Sequence, residues 1–328
     1  MWKSFKRTLV GNPISSEQAQ HERLNKKTAL AVFSSDALSS VAYSTEAILL
    51  VLLAAGSIAI GYLVPIVIGI TVLLAILTLS YRQTIHAYPS GGGAYIVAKD
   101  NLGTQPGLVA GASLLVDYIL TVAVSVSAGV AAITLATQGT RLDFLHEHRV
   151  ALCIVIVVLI ALINLRGVRE SGAIFAGPSY LFIFSMLALI AVGFFRYYAT
   201  GQTMPVPAAE DVHFDQSVGT VTHSALTGGA LLWLLMRAFA AGCTALTGVE
   251  AISNGIPAFK KPESKNAATT LTWMAFIMTA LILGTGFLAY KLNAHPTGAE
   301  RPALGEAGSS SRSRLATATR PLPRAPPN

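Results

Sequence analysis

The chain is poor in charge and nearly devoid of cysteine. Only 12% of its 328 residues are Asp, Glu, Lys or Arg, half the share of about 25% in soluble globular chains. Too few charges remain to cover a water-facing surface. That scarcity, with 53% hydrophobic residues and a mean hydropathy of +0.58, excludes disorder for the bulk of the chain. The two cysteines, Cys153 and Cys243, lie in apolar surroundings, which argues against a disulfide framework or a thiolate metal site. Residues 1–27 lack the short apolar core of a cleaved signal peptide, so the first span is expected to stay in place. No nucleophile–base pair, metal motif or nucleotide loop stands out, and the protein is not expected to be an enzyme or to need a cofactor. The net charge of +7 does not point to nucleic acid, because Lys and Arg fall in short clusters between long apolar stretches. That pattern belongs to a membrane protein with basic loops.

What the sequence has in abundance is apolar length. A bilayer core of about 30 Å takes roughly 20 residues of helix. Seven segments qualify: about Thr28–Ala54, Tyr62–Ser80, Pro106–Thr137, Val150–Leu165, Ser171–Tyr197, Gly228–Pro257 and Ala267–Tyr290. They are expected to be helical, since a segment in lipid must satisfy its own backbone. On one side of these spans lie thirteen basic residues: Lys3, Lys6, Arg7, Arg23, Lys26, Lys27, Arg82, Lys99, Arg166, Arg169, Lys260, Lys261 and Lys265. The other side has four: Arg141, Arg149, Arg196 and Lys291. The positive-inside rule therefore places the N-terminus in the cytoplasm of a plasma-membrane protein and the loop Glu210–His223 outside. Three regions follow: a cytoplasmic segment over 1–27, a multi-pass domain over 28–292, and a Pro- and Arg-rich tail over 293–328. From Ala294 onward there are six of the fifteen prolines, five arginines, and no aromatic, Ile or Val, so neither a span nor a packed domain is expected there. We read the tail as the product of a frame disrupted near Pro296, with further spans in the undisrupted chain; a native disordered tail is the alternative.

Ionisable groups at membrane depth are expensive and mark function by default. Five occur: Asp36, Glu46, Asp117, Arg237 and Glu250. Four carboxylates against one guanidinium suggest a cation site. In the first span Ser34, Ser35, Ser39, Ser40, Ser44 and Thr45 crowd around Asp36, which predicts a broken helix facing a polar cavity. Tyr43 would share a face with Asp36 if the helix ran straight, and a capping role for Asp36 is the compatible alternative. The third span sets Asp117, Thr121 and Ser125 at successive i,i+4 steps, one stripe of oxygen donors beside Tyr118. Such donors suit hard monovalent cations, although lone Ser and Thr also serve helix packing. In the sixth span, T-A-L-T-G-V-E-A-I-S-N-G-I-P, Gly248, Gly255 and Pro257 interrupt the helix while Thr247 and Glu250 add oxygens. Interruptions in spans one and six, five apart, are the pointer to an inverted-repeat transporter. The segment P-S-G-G-G-A-Y over 89–95 reads as a cytoplasmic or re-entrant elbow; it lacks the Lys and Ser/Thr of a phosphate loop.

These features together resemble the amino acid–polyamine–organocation (APC) superfamily, over about Lys26 to Tyr290. The resemblance implies an all-α membrane protein with a partial 5+5 inverted-repeat (LeuT/APC-like) bundle, here the first five spans and two of the second repeat. Within it, S-S-D-A-L-S-S-V-A-Y and L-T-G-V-E-A-I-S-N-G are similar to the KimA-type branch of the KUP potassium importers. Amino acid permeases typically carry a Gly-rich motif in span one that holds a substrate carboxylate; Asp36 stands there instead. The resemblance implies that Asp36, Tyr43, Asp117, Tyr118, Thr121, Ser125, Thr247 and Glu250 form the cation pathway, with potassium at Asp36, Tyr43, Asp117 and Thr121. It also implies secondary, proton-coupled uptake by alternating access, with Glu250 or an Asp as proton carrier. The lipid bilayer and a small cation are the partners, a homodimer is expected of the full-length form, and nucleic acid is not a partner. Members of that branch have spans eight to twelve and a cytosolic domain that binds cyclic di-AMP; without them this chain is expected not to transport. An amino acid or polyamine permease, and an inactive fragment, are the alternatives.

Overall fold

A computed structural model describes residues 23–53, 57–137, 139–165, 168–201 and 228–294. Most of the expected N-terminal segment, the loop Glu210–His223 and nearly all of the tail lie outside the described residues. Helices α1 (Lys26–Leu53), α2 (Leu63–Ala87), α3 (Gly93–Leu102) and α4 (Thr104–Thr137) follow in order. The short α5 (Phe144–Glu147) leads to α6 (Arg149–Asn164), α7 (Val168–Thr200) and α8 (Gly229–Gly242). After an interruption come the single turn α9 (Ala251–Asn254) and the long α10 (Glu263–Leu292). Six of the described stretches are long and apolar enough to cross a bilayer, and the sixteen-residue α6 is the shorter seventh. At about 1.5 Å per residue α6 is about 24 Å long, a little less than the hydrocarbon thickness. The protein is an all-α, multi-pass membrane protein.

α1 is the centre of the bundle. More than half of its apolar window is buried (56%), against 11% for α4 and α7. α10, α8 and α7 pack around it, and α2 fills the space between α10 and α8. Ala37, Leu38, Val41, Ile48 and Leu52 of α1 meet Ile70 and Leu74 of α2 and Leu271, Met274 and Leu281 of α10 in one apolar core. α4 leans chiefly on α3 and α6, and its outer face is a row of exposed Leu, Val and Ile. Such a face is at home in lipid, where apolar exposure carries no penalty.

The expected break in span one is not there. α1 runs as one α-helix of 28 residues through Asp36. Its serines, taken as helix breakers, bond back to their own turn: Ser35 to Val32 O at 2.9 Å, Ser39 to Asp36 O at 2.8 Å and Ser44 to Val41 O at 3.0 Å, with Ser34 likewise on Leu30 O. Each hydroxyl thereby satisfies itself inside the membrane without opening the backbone ladder, and α1 contains neither Gly nor Pro.

Span six is interrupted as expected. After α8 the chain tightens to a 3₁₀ turn at Cys243–Leu246, leaves helical geometry through Thr247 and Gly248, and resumes at α9. Gly248 has φ +80°, a conformation that a residue with a Cβ adopts only under strain. The elbow also forms: Gly91, Gly92 and Gly93 have φ of +80°, +99° and +44° and turn the chain from α2 into α3.

At the end of the bundle that carries the N-terminus, Leu24 pairs with the chain beyond α9. Leu24 N–H donates to Ala258 O at 2.7 Å and Lys260 N–H to Leu24 O at 3.0 Å. Arg23 forms an ion pair with Glu263, and Phe33 stacks on the fully buried Phe259 with ring centroids 5.3 Å apart. The start of α1 and the exit of span six are thus tied into one unit.

Candidate cation-binding site

The site lies where α1, α4 and the interrupted part of span six meet. On α4, Asp117, Tyr118, Thr121 and Ser125 are half-buried while Val116, Ile119, Leu120, Val122 and Val124 between them are exposed. The i,i+4 stripe therefore faces inward, and the α1–α4 crossing is marked by Ser39 Oγ and Ser125 Oγ, 3.3 Å apart. Gly248 packs directly on α1. A Cβ built on it would stand 2.8 Å from Asp36 Cγ and 2.8 Å from Ala37 N, so only glycine lets the interrupted segment approach Asp36 so closely.

Beside this contact runs a directed chain of hydroxyls. Tyr43 O–H donates to Ser40 Oγ at 3.1 Å, and Ser40 Oγ lies 2.7 Å from Thr247 Oγ1. Thr247 spends its single proton on Thr244 O at 2.9 Å, so Ser40 must be the donor to it. The order Tyr43→Ser40→Thr247→Thr244 O joins α1 to the interruption and fixes three oxygens beside Asp36, each polarising the next.

Glu250 is buried (7% exposed) at the N-cap of α9. Its carboxylate is within electrostatic reach of Asp36 and Asp117. Asp36 and Asp117 are likewise coupled to each other. Asp36 Oδ1 and Glu250 Oε1 are enclosed without a hydrogen-bond partner, and none of the three carboxylates forms a salt bridge among the described residues. Like charges held together in low dielectric without a counter-charge are unfavourable, and a cation between them removes the penalty. No three His, Cys, Asp or Glu side chains converge as a metal-ligand cluster among the described residues. The charge is spread among hydroxyls, an arrangement suited to a weakly held monovalent ion more than to a divalent one.

The structure thus brings seven of the eight expected residues into three groups: Asp36, Asp117, Tyr118 and Glu250 through electrostatic coupling, Tyr43 and Thr247 through the hydroxyl chain, and Ser125 through Ser39. Thr121 makes no side-chain hydrogen bond among the described residues; only its place on the stripe assigns it. Sequence reasoning missed four participants. Ser40 is the middle of the hydroxyl chain, Ser39 touches Ser125, Tyr81 of α2 lies within electrostatic reach of Glu250, and Asn254 Nδ2 donates to Tyr118 Oη at 2.7 Å. An Asn one turn after a membrane-buried Glu was the available signal for the last. Glu46 and Arg237, noted as membrane-depth charges, are both exposed and outside the site.

Residues 24–292 match the amino acid permease family. The chain is also 50% identical, over 296 residues, to the potassium transporter KimA of Bacillus subtilis (strain 168). That alignment covers 90% of this chain and 46% of the relative, so the chain spans about half the length of the curated relative it matches. With its interrupted sixth span set against a polar first helix, and with the family match over that whole region, the chain belongs to the amino acid permease family of the APC superfamily.

Proposed function

We propose that the protein is a potassium-uptake permease, in which a dehydrated potassium ion is held between Asp36, Tyr43, Asp117 and Thr121. The observation that carries this reading is that Asp36, Asp117 and Glu250 are electrostatically coupled, that Asp36 Oδ1 and Glu250 Oε1 are enclosed without a hydrogen-bond partner, and that none of the three forms a salt bridge among the described residues. The half-length likeness to a potassium transporter supports it. Hydroxyls at Tyr43, Thr121, Ser125 and Thr247 replace water around the ion, and the carboxylates supply the charge that offsets its dehydration. Uptake is secondary and proton-coupled: the buried Glu250, or one of the Asp side chains coupled to it, exchanges its proton as the cation enters and leaves. Alternating access moves the unit of α1 and span six against α4 around the fixed site. The N-terminus faces the cytoplasm of a plasma-membrane protein, because the ends of α1, α2, α9 and α10 that meet there carry the excess of Lys and Arg. The full-length form works as a homodimer, with no cofactor and no catalytic step.

A permease for amino acids or polyamines is the second reading, favoured by the same carboxylates, which hold an ammonium group as readily as a metal ion. The test is ligand-dependent thermal stabilisation of the detergent-purified chain, with potassium, rubidium, sodium, putrescine and neutral amino acids compared at equal ionic strength. Stabilisation by potassium and rubidium alone supports the potassium reading. Stabilisation by putrescine or an amino acid, with none by potassium, overturns it.

A further inference from the structure

We propose that Asn254 is a positioning residue of the cation site: it holds the Tyr118 hydroxyl of α4 against the interrupted segment that carries Glu250, and the glycine elbow holds Asn254 in turn. The inference rests on the cation reading above. The Asn254 amide donates to Tyr118 Oη at 2.7 Å. A phenol has one proton, and with its oxygen receiving the amide that proton is directed elsewhere. Glu250 lies four residues before Asn254 on the same short segment, its backbone carbonyl accepting from Asn254 N–H at 3.0 Å. Asn suits this task where Asp does not, because an amide donates to the Tyr118 oxygen, whereas a carboxylate could only accept its proton and would add another like charge beside Glu250.

What fixes Asn254 is the absence of side chains opposite it. Gly92 N–H donates to Asn254 O at 3.4 Å. A Cβ on Gly91 would stand 2.7 Å from Asn254 O, and one on Gly93 would collide with Asn254 Oδ1. That Oδ1 is enclosed without a partner, so the amide is held by its nitrogen and by this backbone wall. The elbow opens α3, and α3 packs along α4, which carries Tyr118. The elbow therefore meets Asn254, and Asn254 meets both Tyr118 of α4 and the Glu250 carbonyl, in one line from the N-terminal end of the bundle to the site. The triple glycine acquires a purpose in this arrangement that a simple turn would not need.

The test is a double-mutant cycle on the purified 328-residue chain with Asn254→Leu, which keeps the volume but loses the donor, Tyr118→Phe, and the pair. Melting temperature without potassium and the potassium midpoint of thermal stabilisation are both read. Each single variant should raise the potassium midpoint about tenfold, the scale of one hydrogen bond, and the pair no further than the larger single. Gly93→Ala, which leaves all donors intact but displaces the amide, should raise the midpoint in the same direction. Additive effects of Asn254→Leu and Tyr118→Phe, or an unchanged midpoint in Asn254→Leu, would overturn the positioning role while leaving the cation reading intact. A parent chain that does not respond to potassium defeats the cation reading and the positioning role with it, whereas non-additive melting temperatures would still establish the Asn254–Tyr118 link.

Discussion

Gly248→Ala is the substitution that bears most directly on how span six meets α1. Its backbone at φ +80° costs a residue with a Cβ about 1–2 kcal/mol. The added methyl would also stand 2.8 Å from Asp36 Cγ, 2.9 Å from Asp36 Oδ2 and 2.8 Å from Ala37 N. One of those neighbours is helix backbone, which cannot swing aside as a side-chain tip can, so overpacking adds about 1–3 kcal/mol. The combined loss of about 2–5 kcal/mol is a large share of a native stability of about 5–15 kcal/mol. Gly129→Ala on α4 is the matched control: nothing lies within 4 Å of a Cβ there, and alanine in a helix is favoured over glycine by about 1 kcal/mol. Thermal unfolding in detergent, with and without potassium, separates the two. Gly248→Ala should unfold at markedly lower temperature than the parent and lose its potassium response, while Gly129→Ala should match or exceed the parent in both. If Gly248→Ala were as stable and as responsive as Gly129→Ala, the close approach of the interruption to Asp36 would be refuted.

Three further outcomes are expected. Asp36→Asn and Asp117→Asn each keep size and hydrogen bonding but remove the charge that offsets dehydration, so each should abolish or reduce the potassium response by at least tenfold without preventing membrane insertion; unchanged responses in both would remove the two residues from the site. Ser125→Ala should weaken the response less than either change, because water can replace one hydroxyl but not a charge, and a larger effect would point to helix packing at the Ser39–Ser125 contact instead. Ser40→Ala removes the middle of the hydroxyl chain and leaves Tyr43 and Thr247 without a shared partner, which should cost about 1–3 kcal/mol of stability; a melting temperature equal to the parent's would show the chain to be dispensable.

Much of the bundle was legible because lipid imposes length and polarity on a span independently of tertiary detail. Six of the seven segments reappear as single described helices and the sixth as α8, its interruption and α9, with ends shifted where polar residues prolong a helix past its apolar part, as Tyr81–Ala87 do for α2. The inward stripe of Asp117, Thr121 and Ser125 was legible because i,i+4 spacing fixes a face whatever packs on it. The continuity of α1 was misread, since a run of serines in a sequence does not show whether the hydroxyls bond to their own turn or open it. Ser40–Thr247 and Tyr118–Asn254 join residues more than a hundred positions apart. Neither carries a local signal; both exist only because Gly248 and the glycine elbow allow backbones to meet.

The most direct measurement is anomalous scattering from crystals of the protein grown in rubidium, whose ion is close to potassium in size and charge. A peak among the oxygens of Asp36, Tyr43, Asp117 and Thr121, lost in crystals of Asp36→Asn, is the predicted result. Rubidium bound only elsewhere on the protein, or a peak among these oxygens that persists unchanged in Asp36→Asn, would contradict the assignment of this crossing as the cation site.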